Sequence, residues 1–240
     1  MHSHDPSRWL DDFSCRWAAG ARYPFEKFSS AKNFYFPMAN TLTQGDTLLE
    51  FGAGSCVNSL IIALLCPTVE VIATDLIEDH LLLAQQHIKG CFYIPANLHF
   101  MQLDIINNKL PSKLTAIMSD GVLEHFNNTQ IDTVVDKIGY IKNIFISVPV
   151  NNAAIEYGDE RIMPTWWWEK KIKKHLPHRS NVTTYFTSHN THLFNIVRKI
   201  IPYQQITDQN SKFYNAYHFI NKNIFQLEKK YASSALYHIS

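Results

Sequence analysis

The chain lacks the features that would place a protein in a membrane or in an oxidising compartment. Its four cysteines, Cys15, Cys56, Cys66 and Cys91, lie far apart with no Cys-x-x-Cys pair, which disfavours a disulfide framework or a zinc cluster and favours a reducing cytoplasm. The longest apolar run, Leu60 to Cys66, is far shorter than the ~20 residues of a membrane span. The opening Met1-His2-Ser3-His4-Asp5-Pro6 has no charged-then-apolar signal pattern, so a soluble, cytoplasmic protein that is not exported is expected. There is no internal repeat and no low-complexity stretch. Charge of one sign is also missing, since the net charge is +1. It is unevenly spread: residues 1–120 hold 8 basic against 12 acidic side chains and residues 121–240 hold 14 against 9, so the second half is the likelier face for an anionic partner.

What is there begins with length and apolar content. At 240 residues and 46% hydrophobic, the chain suits one α/β domain with an ample core. Its organising stretch runs from Leu48 to Cys56. A short apolar strand ends in Gly52 and Gly54, and the run from Leu60 to Leu65 follows with the pattern of a buried helix. In an open parallel sheet such a turn sits at the carboxyl end of the first strand, where ligands bind and the next helix presents free N–H groups. Something polar is therefore expected on this turn. A dinucleotide fingerprint would place a third glycine three residues after the second, where this chain has Val57. Glu50, two residues before Gly52, would repel a diphosphate and suits a ligand with a cationic amino acid end.

Three more strands end in polar residues. Val69 to Asp75 alternates and closes on a carboxylate that can accept both hydroxyls of a ribose, and Leu76-Ile77 can pack on a purine face. Leu98 to Ile105 ends at Asp104, and Ala116 to Phe126 breaks into a turn at Asp120-Gly121. Four strand ends converge on one cleft.

These residues, taken in order, resemble the class I S-adenosylmethionine-dependent methyltransferases, and within them the small-molecule group similar to the ubiquinone-biosynthesis enzymes. The resemblance covers roughly residues 45–160. Glu50-x-Gly52-x-Gly54 matches the family's first motif, Asp75 its ribose-binding acid, Asp104 its adenine-contacting acid, and Gly121 to Phe126 its segment after the fourth strand. Two positions depart from the pattern: Cys56 stands where a further glycine is common, and Asp120 where an asparagine-type residue is usual. The resemblance implies a Rossmann-like α/β fold, a seven-stranded and mostly parallel sheet with helices on both faces. It also implies S-adenosyl-L-methionine as cofactor, bound by Glu50, Gly52, Gly54, Asp75, Leu76, Asp104, Ile105, Asp120 and Gly121. The chemistry it implies is in-line attack of a nucleophile on a sulfonium methyl, for which positioning at ~3 Å and exclusion of water supply much of the acceleration. If a base is used, His125 is the candidate, with Glu124 beside it.

The flanks carry less. Residues 1–40 are rich in aromatics, and Trp9, Phe13 and Trp17 fall at helical spacing on one face. Such a stripe packs on a sheet edge, or closes as a lid over cofactor and substrate, in which case Arg22 or Tyr23 could meet the cofactor's carboxylate. The remainder, 41–240, is the methyltransferase-like domain, with a substrate-side insertion at about 150–190. Within it the pattern gives a helix from Glu78 to Lys89 ended by Gly90, another near Thr129 to Ile138, and a loop over Pro149 to Arg161. A helix from Thr165 to His175 is expected, N-capped by Thr165 and cationic at its end. Three successive tryptophans, Trp166 to Trp168, cannot all face one core, so one should line a cleft or interface suited to a flat, aromatic or peptide acceptor. The basic run Lys170 to Arg179 fits a solvated face better than a nucleic-acid site. His175, His178, His189 and His192 form two His-x-x-His pairs without a cysteine or carboxylate at matching spacing, so no metal is expected. A strand over Asn181 to Phe186, a helix over Asn190 to Ile201, a strand over Phe213 to Ile220 and a helix near Ile224 to Tyr231 complete the pattern.

Three functions compete: methyl transfer to an O or N atom of a small metabolite or natural-product intermediate, methyl transfer to a peptide or RNA, and a non-catalytic binding or scaffold subunit of the same fold.

Overall fold

A computed structural model describes residues 6–150, 153, 160–178, 181–187 and 234–240 of the chain. In the middle of its five parallel strands is β1 (Thr47–Phe51), flanked on one side by β2 (Glu70–Asp75) and β3 (Leu98–Gln102) and on the other by β4 (Ala116–Asp120) and β5 (Asn143–Pro149). The strand β7 (Ser234–Ile239) then pairs antiparallel with β5 and with β6 (Val182–Thr187), giving the order β3-β2-β1-β4-β5-β7-β6. This is the seven-stranded, mostly parallel sheet that the resemblance implies.

A parallel strand covered on both faces needs apolar side chains at successive positions, and β1 supplies them. Because side chains alternate, Leu48 enters one core and Leu49 and Phe51 the other. The first core holds Leu60 and Ile62 of α4 (Val57–Leu65), Leu81, Ala84 and Ile88 of α5 (Glu78–Cys91), and Trp17, Phe34, Tyr35 and Met38 of α1 (Pro6–Trp17) and α3 (Lys32–Thr41). Between α1 and α3 lies α2 (Arg22–Ser30). The second core holds Ile131, Val134, Val135 and Ile138 of α6 (Asn128–Ile138) and Trp168 and Ile172 of α7 (Thr165–His175).

Two expected helix ends are corrected. Gly90 does not stop α5: the helix runs on to Cys91, the N–H of Phe92 closes it on the Ile88 carbonyl, and Gly90 keeps an ordinary negative φ. Glycine ends a helix only where it takes the left-handed conformation, which this one does not. Thr165 is the first helical residue and not the cap of α7. The cap position belongs to Pro164, whose φ of −65° and ψ of 152° are the extended geometry a cap needs, and no side chain caps the helix. At α6 the start is set by a capping box, in which Asn127 accepts from the Gln130 N–H and the Gln130 side chain accepts from the Asn127 N–H.

The tryptophans divide as their spacing requires, with Trp168 in the core, Trp167 half-buried and Trp166 63% exposed. The strand expected at Asn181 to Phe186 is β6. The helix over Asn190 to Ile201, the strand over Phe213 to Ile220, the helix near Ile224 to Tyr231, most of the loop over Pro149 to Arg161, and Arg179, His189 and His192 lie outside the described residues. No helix among the described residues is long and apolar enough to cross a membrane.

Candidate active site

The bend after β1 is held from below. Glu50, at the end of the strand, is buried, and its two carboxylate oxygens accept from Asn58 Nδ2 at 3.0 Å and from the Ser59 N–H at 3.0 Å, with the Ser59 hydroxyl as a third donor. Burial pushes its carboxyl up to about 7 against the pull of these donors, and the Asp120 charge adds to the rise. Glu50 thus pins the start of α4 to β1 and lies beneath the cleft, not open to it. Gly52 and Gly54 both have positive φ, 66° and 49°. Cys56, the position that departs from the motif, is also left-handed, at φ 54° and ψ 16°, and its thiol is buried.

Above the bend the chain's own side chains fill the space. A Cβ on Gly52 would collide with Val122, and one on Gly54 with the ring of Phe13 from α1. The expectation of a polar occupant is therefore met here by an apolar ring. Asp75 at the end of β2 accepts from the Gly54 N–H at 2.9 Å through one oxygen, and its other oxygen faces the Ile77 N–H at 3.0 Å and His80 Nδ1 at 3.2 Å. His80 is buried, with the Phe13 ring perpendicular to its own at 5.1 Å between centroids, and its Nε2 has no hydrogen-bond partner among the described residues.

At the end of β4, Asp120 pairs with Lys27 of α2 at 3.0 Å and lies 3.4 Å from Asn58 Nδ2. Burial raises its carboxyl, but the Lys27 ammonium and hydrogen bonds from Ser147 and Asn58 outweigh that and leave it below the usual carboxylate range. Asn58 also accepts from the Tyr35 hydroxyl at 2.6 Å. Glu50, Asn58, Asp120, Lys27 and Tyr35 thus form one network linking β1, α4 and β4 to the N-terminal helices. Gly121 turns the chain at φ 74°, and a 3-10 turn over Leu123–His125 follows. Glu124 is buried, its carbonyl accepting from the Arg161 N–H at 2.9 Å, and the His125 ring lies 5.4 Å from Trp9, edge to face.

The other candidates are placed less centrally. Leu76 is 60% exposed beside Asp75. Asp104 spends its carboxylate on its own loop, accepting from the N–H groups of Ile106 and Asn107 and from the Asn107 side chain. Ile105 points into the second core. Of the two cations or phenols expected from the N-terminal segment, Tyr23 reaches the bend, 3.2 Å from the Ser55 hydroxyl, whereas Arg22 pairs with Glu26 at the surface. His175 finds carboxylates after all, Asp132 and Asp136, but they come from α6 and lock α7 onto it. Phe13, part of the aromatic stripe expected on a sheet edge or as a lid, lies in the cleft, whereas sequence reasoning missed Lys27, Asn58 and His80 altogether. Only His80 left a signal, an imidazole in the first turn of the helix that follows Asp75.

No family model matches the chain, and no curated protein matches it in sequence. Solved structures match its fold. Phosphoethanolamine N-methyltransferase 2 of Haemonchus contortus, in complex with S-adenosyl-L-methionine, superposes with a TM-score of 0.56 at 12% identity, over 89% of this chain and 51% of its own. Human N-acetylserotonin methyltransferase in complex with SAM gives 0.54 at 11% identity, over 76% of this chain and 53% of its own. A chain from the complex between the Haloferax volcanii Trm112 methyltransferase activator and a candidate methyltransferase gives 0.58 at 10% identity, over 95% and 96%. The chain spans about half the length of the first two and nearly all of the third. What is shared is architecture: the fold is that of the class I S-adenosylmethionine-dependent methyltransferases.

Proposed function

We propose that this chain transfers a methyl group from S-adenosyl-L-methionine to an O or N atom of a small metabolite or natural-product intermediate. The observation that carries the reading is the meeting of three strand ends, with Gly54 N–H on Asp75 and Asp120 joined through Asn58 to Glu50. The donor set fits an adenosyl amino acid cation. Asp75 offers acceptors for ribose hydroxyls, Asp120, paired with Lys27, offers a carboxylate as a further acceptor, and Gly54 offers a surface that any side chain would fill. When bound, the cofactor supplies a methyl group already made electrophilic by its sulfonium.

The chain's own residues then position the acceptor. The turn at Gly121 carries Glu124 and His125 to the end of β4, where the His125 imidazole can accept the acceptor's proton. The half-buried Trp167 and exposed Trp166 suit a flat acceptor. A small acceptor also agrees with the phosphoethanolamine and N-acetylserotonin named for two structural neighbours.

A second reading, a scaffold of the same fold without a cofactor, is favoured by one observation, Phe13 lying on Gly54. Titration with S-adenosylhomocysteine separates the two. Under the proposal a ligand at 100 times its dissociation constant stabilises the fold by ~2.7 kcal/mol. Asp75→Asn, which keeps the shape and removes the charge, weakens binding by ~1–3 kcal/mol. Absence of any thermal shift or heat with the wild type selects the scaffold.

A further inference from the structure

We infer that helix α1 is a built-in competitor for the cleft: Phe13 occupies the place of a ribose between Gly54, Asp75 and His80, and α1 has to swing away before a nucleoside cofactor can bind. The inference rests on the reading of the cleft as a cofactor site.

Three observations converge on it. The first is the contact on Gly54. Its positive φ accounts for a glycine in the turn, but the Phe13 ring also uses the missing side chain, lying where a Cβ would be, and leaves no room for a ligand atom on that backbone. The second is the closure of the polar groups beneath the ring, with Gly54 N–H and Asp75 satisfying each other at 2.9 Å. The third is His80. With Nδ1 facing the Asp75 carboxylate at 3.2 Å, a proton belongs on Nδ1, and Nε2 is a buried ring nitrogen without a partner among the described residues. Such a group is costly to leave unmade, and an apolar phenyl ring is no hydrogen-bond partner for it. A ribose is, because each hydroxyl both donates and accepts. One can donate to Asp75 and the other pair with His80 Nε2, while the Gly54 N–H is released to a ligand oxygen.

The helix is attached in a way that permits the motion. Trp17 anchors its C-terminal end, buried and donating from Nε1 to the Ser55 carbonyl at 3.1 Å, and Gly20 at φ 59° follows in the turn before α2. Lys27 on Asp120 keeps α2 in place. Toward the N-terminal end the helix sets two rings against the cleft, Phe13 on His80 and Trp9 on His125. A closed state populated nine times in ten would weaken apparent ligand affinity about tenfold.

Hydrogen exchange and binding kinetics with S-adenosylhomocysteine test this on the full chain. Saturating ligand is expected to speed exchange of the α1 amides in the wild type, whereas a helix that lines the ligand would be protected. Phe13→Ala is expected to bind with an association rate and an affinity about tenfold higher than the wild type, and Phe13→Leu, which keeps most of the apolar volume should the alanine variant fold poorly, with a smaller gain in the same direction. His80→Phe should weaken binding. Protection of α1 by ligand, or affinities of the Phe13 variants equal to or below that of the wild type, overturns the inference while leaving the cofactor site standing. Failure of wild type and variants alike to bind overturns both.

Discussion

The ammonium of Lys27 lies 3.0 Å from the carboxylate of Asp120, so that a helix preceding the sheet is joined to the end of its fourth strand. Both side chains are partly buried, and each shifts the other: Asp120 raises Lys27 above the usual lysine range, and Lys27 is the largest of the influences that lower Asp120.

Lys27→Met should therefore cost about 1–3 kcal/mol at neutral pH, because it leaves the Asp120 charge beside Glu50 without its counter-ion. The sign with pH follows from linkage. Asp120, lowered in the folded state, adds stability that is present above the unfolded carboxyl value and lost as pH falls through the folded one, so the variant should show a shallower loss of stability in acid. Urea unfolding of both proteins between neutral pH and pH ~3 reads this directly.

Glu50 behaves in the opposite way. With its folded carboxyl raised to about 7, its contribution is fully present below the unfolded value and disappears as pH rises toward and through 7. The wild type should lose roughly 3 kcal/mol between pH 4 and pH 8 from this group, at ~1.4 kcal/mol per unit. Glu50→Gln should flatten that limb, and equal slopes for the two proteins would refute the assignment.

Cys56 is held in a conformation that L-residues disfavour. Cys56→Val should lose about 2 kcal/mol or more, since a branched Cβ is worst placed at positive φ, while Cys56→Gly should stay within about 1 kcal/mol of the wild type. Denaturant midpoints of the two variants rank them.

Lys137 donates to the carbonyls of Ile105, Ile106 and Asn108 and so fixes the loop that carries Asp104. Lys137→Met should leave overall stability within about 2 kcal/mol, yet release the amides of residues 104–108 to exchange faster than those of β3. No change in those amides would show that the loop holds itself through Asp104 and Asn107.

How much of this was legible in sequence depends on how local the cause is. The apolar strand, the glycine turn and the acid closing β2 are contiguous patterns, and the sheet follows from them. Within the cleft the same is true of Gly52, Gly54 and Asp75, which meet as their spacing requires. The partners of Phe13 and Lys27 were opaque because they are set by where α1 and α2 fold back: the stripe that includes Phe13 is a local pattern, but nothing in it states that the ring will lie on Gly54. The last strand was opaque for the same reason: β7 pairs with β5 from some 85 positions away, and nothing within Ser234–Ile239 names its neighbours. The ends of α5 and α7 misled because Gly90 and Thr165 have the right chemistry for caps but not the backbone angles.

The order of the sheet also dictates a sequence of assembly. Strand β6 precedes β7 in the chain, but its ladder partner is β7, which in turn is the strand that reaches β5. While a ribosome is still making residues beyond 187, β6 has no template, and β5 exposes an open flank of unpaired amides and carbonyls. Only when residues 234–239 have emerged can β7 join β6 to β5, so the growing polypeptide must keep that flank from sticking to its neighbours until β7 arrives.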